Sequence, residues 1–296
     1  MEDLAKIAVV GPGAMGCLFA VKLARAGNKV HLVDYRADRA ERLNTAGITL
    51  ETPEGNRSTE HIPVVTAIPG GQELVIVLVK SQHTSSLRFP PEVSILTLQN
   101  GLGNVETLCN LVGSARVLAG VTTEAAHLLG EGQVRHAATG LTQFGAWTSC
   151  PVTGAYRILQ EAGFHVEITE SPGQLIWEKV AISSAINPLT ALLDVPNGKL
   201  LEIPEIRQLM RDLVVEATKV AATEGYRFPH SLVERAEQVC RDSRSNISSM
   251  LQDVRAGRPT EIRAISGEIL RRAQLASLPT PRTRVIFQLV RGLESR

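Results

Sequence analysis

The chain has 296 residues, 44% hydrophobic and 21% charged, with Lys+Arg 31 against Asp+Glu 30 and a formal net charge of +1. That length allows about two domains with real cores, and so even a balance supplies no field drawing the chain to nucleic acid or an anionic membrane. No apolar stretch approaches the roughly 18 residues of a spanning helix. The start, MEDLAK, is acidic where a signal peptide is basic. Cys17, Cys109, Cys150 and Cys240 form neither a CxxC pair nor a compact disulfide pattern. The expectation is a cytoplasmic enzyme with no nucleic-acid or membrane partner.

Short apolar runs occupy the first half. Ile7–Val10, Val30–Val33, Leu74–Val79 and Ile95–Leu98 are rich in β-branched residues and nearly continuous. Continuity rather than alternation predicts strands of a parallel sheet covered on both faces. Between the first two runs, Leu18, Val21, Leu23 and Ala24 have helical spacing and Gly27 supplies a stop. This βαβ pattern should cross over right-handed. A further strand is expected over His165–Thr169. Beyond it the periodicity is helical, over Ser171–Leu193, Ile206–Glu224, Leu232–Gln238, Ile247–Ala256 and Glu261–Leu275. The predicted architecture is an α/β dinucleotide-binding domain over 1–169 and an all-helical substrate and catalytic domain over 170–296, with ligands expected in a cleft between them.

Gly11-Pro12-Gly13-Ala14-Met15-Gly16 is a GxGxxG placed directly after a strand and opening a helix. Glycine turns occur in many loops, but this context predicts a Rossmann-type dinucleotide site. Gly11 makes the tight turn, Gly13 lets diphosphate approach, and Gly16 lets helix and strand pack. The helix start then offers N–H groups to the phosphates. The second strand ends Val33-Asp34-Tyr35-Arg36. An acid there suits the ribose hydroxyls of NAD, whereas a nearby arginine suits the 2′-phosphate of NADP. Asp34 could equally be a turn residue.

In the helical half, Lys179, Ser183 and Asn187 recur at i, i+4 and i+8 on an otherwise apolar segment. A helix apolar nearly all round is buried, so such a stripe must face a partner, water or a ligand. Pro188 is expected to end or kink that helix beside Asn187. Asn246 and Ser249 fall on one face near a helix start, where capping alone would explain small polar residues. Glu261 reads as a first-turn acid favoured by a helix dipole, or as a functional acid. No HExxH or paired-ligand spacing predicts a metal site, and there is no GxSxG.

Taken together, the glycine loop, Val77-Leu-Val-Lys80, Gln99-Asn100-Gly-Leu-Gly103, Trp177-Glu-Lys179, Ile186–Ala191 with Pro196-Asn197-Gly198, Asn246–Asp253 and Thr260-Glu261-Ile262 resemble the ketopantoate reductase (2-dehydropantoate 2-reductase) family over nearly the whole chain. The resemblance implies an NADPH-dependent enzyme of pantothenate synthesis acting on a small 2-keto acid. It implies that Lys179 is the proton donor and that Glu261 helps hold substrate and cofactor. Ser183, Asn187, Asn197, Asn246 and Ser249 match substrate-contacting positions, and Lys80, Asn100 and Ala126 match cofactor-contacting ones. Two departures stand out. Ser183 replaces a frequent asparagine, and Asp34-Tyr35-Arg36 stands where NADPH-binding members carry an arginine, which leaves NADH open as cofactor. A homodimer is compatible with the sequence. The alternatives are a related dehydrogenase of another 2-keto or 3-hydroxy acid and a non-catalytic NAD(P)-binding sensor.

Overall fold

The computed structural model describes residues 4–295 and divides into two compact units. The acidic start of the chain lies partly outside the described residues. One unit runs up to Gln99 and resumes over Asn104–Pro172; the other takes Asn100–Gly103 and the chain from Gly173 onward. The division thus falls a few residues after the expected boundary. It also transfers Asn100–Gly103, expected in the first domain, to the helical unit.

The first unit holds β1 (Lys6–Val10), α1 (Ala14–Arg25), β2 (Lys29–Val33), α2 (Ala37–Ala46), β3 (Ile48–Glu51), β4 (Arg57–Glu60), β5 (Val64–Val65), β6 (Leu74–Val77), β7 (Ser94–Thr97), α3 (Asn104–Val112), β8 (Val117–Thr122), β9 (Ala125–Gly130), β10 (Gln133–Ala138), β11 (Leu141–Ala146), α4 (Thr153–Glu161) and β12 (His165–Ile168). Eight strands form one sheet in the order β12-β11-β8-β7-β6-β1-β2-β5. It is parallel except where β11 runs against β8. All four expected apolar runs lie in it, and β1 and β6 are buried along almost their whole length. The chain leaves β1 toward β2 on one side and returns to β6 on the other. Their carboxyl ends are therefore a topological switch point, the usual ligand crevice of such sheets.

A second sheet, β4-β3-β10-β9, was not expected. β3 and β10 bury alternate residues, while β4 and β9 bury almost none, so no strand of this sheet reads as a core strand. Ile48, Leu50 and Val134 join Cys17, Leu18 and Val21 in one apolar cluster. α1 thus packs against both sheets, which is why Cys17–Val21 and Leu23 are all fully buried rather than forming a single stripe.

The second unit contains α5 (Pro172–Leu193), α6 (Pro204–Thr223), α7 (Leu232–Asp242), α8 (Ser249–Arg255), a π-turn over Arg263–Gly267, α9 (Glu268–Leu275) and α10 (Pro281–Leu293). Pro188 neither ends α5 nor marks its last turn; the helix continues to Leu193. Thr190 Oγ1 donates to the carbonyls of Ile186 and Asn187 at 3.0 and 2.9 Å, and the surrounding Ala185, Ile186 and Leu189 are buried. Packing outweighs the one backbone donor that proline lacks. The expected helix over Glu261–Leu275 is instead a π-turn followed by α9.

α10 escaped the sequence pattern because its start depends on a partner far away in the chain. Glu216, buried on α6, accepts the N–H groups of Arg282 and Thr283 at 3.0 and 2.8 Å and the Thr283 hydroxyl at 2.7 Å. A carboxylate so placed satisfies two orphan donors of a helix start. Glu216→Ala should therefore destabilise the protein by about 2–4 kcal/mol, since charged hydrogen bonds are lost and buried N–H groups are stranded. Thermal unfolding checks this: Glu216→Gln should recover part of the loss, and an unchanged midpoint for the alanine variant would contradict it.

Candidate functional site

The glycine loop follows β1 at the switch point. Gly11 has φ +109°, and a Cβ there would lie 2.9 Å from the Val79 backbone nitrogen, in the loop after β6. A Cβ on Gly16 would come 1.8 Å from the Gly11 carbonyl oxygen. A Cβ on Gly13 would meet nothing within 4 Å. Two glycines are thus demanded by close packing, whereas the third leaves open space over its backbone. The start of α1 carries no acidic residue in its first turn and no side-chain cap. Its unpaired N–H groups and the room at Gly13 fit the diphosphate of a dinucleotide.

The end of β2 differs from expectation. Asp34 does not face outward: its side chain is 0% exposed. Its Oδ1 accepts the Arg36 N–H at 3.1 Å and Arg39 Nη2 at 2.7 Å, and its Oδ2 accepts Arg39 Nε. Arg36 is exposed and forks onto Asp38, at 3.2 and 2.6 Å. Arg39 went unrecognised because it lies on α2 and meets Asp34 only once that helix folds back.

Lys80 lies just after β6 and Ala126 on β9, both half-buried. Buried Gln99 fixes the approach to Lys80: its amide donates to the Val79 carbonyl and to Thr84 Oγ1, both at 2.8 Å, while Thr97 Oγ1 donates to its Oε1 at 3.0 Å.

On α5, Lys179, Ser183 and Asn187 are half-buried positions in a run whose other members from Ile176 to Ala191 are buried, Glu178 excepted. The polar stripe is thus the open face of a buried helix. Burial pushes the Lys179 ammonium down to about 8, while the Glu261 carboxylate pulls it back up. Asn100 Nδ2 donates to Glu261 Oε2 at 3.0 Å. Leu102 N–H donates to the Ala264 carbonyl at 2.8 Å, and a Cβ on Gly101 would come 2.6 Å from that same oxygen. Asn100, Glu261 and Lys179 thus form one cluster within the helical unit. Trp177 is anchored on the same helix: its Nε1 donates to Glu224 at 3.1 Å, and Arg272 donates to both oxygens of that carboxylate at 2.8 Å.

Asn246 and Ser249 are exposed, but Asn197 is buried. Asn197 Nδ2 donates to Ser243 Oγ at 2.8 Å and its N–H to the Asn246 carbonyl at 3.0 Å, so it braces the loop that carries Asn246. The helix expected from Ile247 begins at Ser249. Its cap is Ser248, which accepts the Leu251 N–H at 3.1 Å and bonds Thr190 Oγ1 on α5 at 2.7 Å. No group of three or more metal-ligating side chains occurs among the described residues, and no described helix is long and apolar enough to cross a membrane.

A family model described as "Ketopantoate reductase PanE/ApbA" matches residues 7–149, and one described as "Ketopantoate reductase PanE/ApbA C terminal" matches 173–294. The 2-dehydropantoate 2-reductase of Halobacterium salinarum is 34% identical, over 97% of this chain and 98% of its own. A solved PanE/ApbA-family ketopantoate reductase from Ralstonia eutropha JMP134 has a TM-score of 0.87 at 29% identity, and a D-mandelate dehydrogenase solved with NADH and anilino(oxo)acetate has 0.90 at 26%; each comparison covers 98% of both chains.

Ser248 ties the loop bearing Asn246 to α5, so Ser248→Ala should cost about 1–2 kcal/mol through loss of the cap and of the buried hydroxyl pair. Chemical denaturation measures it. A change below about 0.3 kcal/mol would mean that neither bond contributes.

Proposed function

The chain belongs to the ketopantoate reductase family, and from that premise we propose that it reduces 2-dehydropantoate to (R)-pantoate with a nicotinamide dinucleotide, NADPH in preference, using Lys179 as proton donor. The observation that carries this reading is a buried-helix ammonium near pKa 8, on an open polar stripe and under the influence of Glu261.

When bound, the nicotinamide supplies hydride to the keto carbon. The glycine loop, Gly11 to Gly16, would hold the diphosphate, with Lys80, Asn100 and Ala126 as further cofactor contacts. As the carbonyl becomes an alcohol, negative charge grows on its oxygen, and the Lys179 ammonium both stabilises that charge and gives up a proton. An ordinary lysine near 10.5 is a reluctant acid. At about 8, Lys179 remains protonated by about ten to one at pH 7 yet releases its proton more readily. Glu261 raises the lysine's proton affinity against the effect of burial and is positioned by Asn100. Ser183, Asn187, Asn197, Asn246 and Ser249 supply polar contacts for the substrate, and Asn197 also braces the Asn246 loop through its Nδ2 and backbone N–H. The four cysteines are unpaired, which supports a reducing, cytoplasmic setting.

The likeness to D-mandelate dehydrogenase favours a second reading, reduction of a different 2-keto acid. The short Ser183 in place of a frequent asparagine points the same way. Oxidation of NADPH followed with ketopantoate, an aryl 2-keto acid and straight-chain 2-keto acids separates the two. Highest kcat/KM on ketopantoate is expected; turnover confined to another keto acid would replace the substrate assignment.

Lys179→Ala should lower kcat by about 10²–10⁴-fold, the usual contribution of a general acid, with little change in dinucleotide affinity. Near-normal kcat in the folded variant would end the proton-donor role.

The pH profile follows from the sign of the Lys179 shift. The protonated form is the active one, so kcat/KM should fall as pH rises through about 8. Removing the acid that raises the lysine's pKa, in Glu261→Gln, should move this limb to lower pH. A limb that stays put, or moves up, contradicts the coupling.

A further inference from the structure

We propose that Arg39, by neutralising the inward-turned Asp34, makes the end of β2 accept an adenosine 2′-phosphate and so sets a preference for NADPH over NADH. The inference rests on the dinucleotide reading above. An acid that selects NAD must present its oxygens to the ribose hydroxyls. Asp34 cannot do so, because its side chain is fully enclosed and three donors already engage it: the Arg36 N–H, Arg39 Nη2 and Arg39 Nε. Asp34 and Arg39 also both act on the buried Cys17 thiol of α1, in opposite senses.

The remaining charged groups around Asp34 form a small network on α2 and beyond. Arg36 and Arg42 share Asp38, and Arg42 also pairs with Glu131 at 2.7 Å. Three arginines thus face three acids, and this patch is neutral only while Arg39 is present. All three arginines reach solvent, Arg36 and Arg39 with 47% and 26% of their side chains exposed, as do Asp38 and Glu131, whereas Asp34 alone is hidden. Arg36 is held only by an exposed ion pair with Asp38, a weak competitor, so its fork can exchange that partner for a phosphate. Without Arg39, the end of β2 would carry an uncompensated carboxylate that repels the same phosphate.

The test is calorimetric binding of adenosine 2′,5′-bisphosphate and 5′-AMP, which differ only in the 2′-phosphate, to the wild-type protein, Arg39→Ala and Asp34→Asn/Arg39→Ala. The wild type should bind the bisphosphate at least about tenfold more tightly, Arg39→Ala should lose that margin, and the double variant should regain most of it, because it carries no charge needing neutralisation. If Arg39→Ala fails to fold around its stranded carboxylate, the double variant alone decides the matter. A margin kept in Arg39→Ala, absent from the wild type, or lost in the double variant overturns the proposal. Failure of every form to bind either nucleotide would instead bring down the dinucleotide reading beneath it.

Discussion

A lysine ammonium on an apolar helix is costly to bury, and a chain of bonds in the helical unit holds the acid that acts on it. Burial by itself pulls the proton affinity of Lys179 down, because the charged form loses its water. One carboxylate, Glu261, offsets part of that penalty, and the balance leaves the ammonium near 8 rather than at either extreme. The neighbouring bonds serve that balance. Asn100 orients Glu261, and Thr260 just before it is tied down by Glu294, whose Oε1 accepts the Thr260 N–H at 2.7 Å and its hydroxyl at 2.6 Å. Trp177, two residues before the lysine, is clamped through Glu224 and Arg272. A loose acid would give a loosely defined proton affinity; a held one gives a single value.

On the proposed function the α/β unit meets the opposite requirement, since it would receive the negative charge of a dinucleotide. Backbone rather than side chains would do this at the glycine loop, where the start of α1 carries no acid and no cap. At the end of β2, by contrast, an acid is present and is disarmed by an arginine. The two devices differ in robustness. Steric exclusion at Gly16 tolerates no side chain, whereas neutralisation at Asp34 depends on a single partner and can be altered by one substitution.

Much of this was legible in the sequence wherever the signal was local. The βαβ unit, the glycine loop, the polar stripe on α5 and the change to helices near residue 170 follow from periodicity and spacing within about twenty residues. What stayed hidden depends on partners distant in the chain. Asp34 looks like a ribose acceptor until α2 brings Arg39 back onto it. α10 lacks its own N-terminal acid and borrows Glu216 from α6. Pro188 reads as a stop because the burial that carries the helix past it comes from elsewhere in the fold. That Asn197 braces the Asn246 loop shows only once Ser243 and the Asn246 carbonyl are brought to it. The second sheet was missed for a different reason: β3 and β10 bury only alternate residues against α1 and β4 and β9 are mostly open, so no continuous apolar run announces them.

The π-turn over Arg263–Gly267 shows how one local irregularity serves the cluster. In a regular α-helix the Glu268 N–H would bond the Ala264 carbonyl; here it bonds Ile265 instead, and Gly267 reaches back to Ile262 at 2.9 Å. The Ala264 carbonyl is thereby open to an outside donor, and the Leu102 N–H takes it. That contact requires close approach of two backbones, which is why Gly101 carries no side chain and adopts φ +88°. With Leu102 fixed, Asn100 two residues earlier reaches Glu261, and Glu261 in turn acts on Lys179. The wide turn is thus the reason a short stretch between β7 and α3 belongs to the helical unit at all. Such turns often occur at functional sites; in this chain the physical reason is a carbonyl released from the helix and spent on positioning an acid.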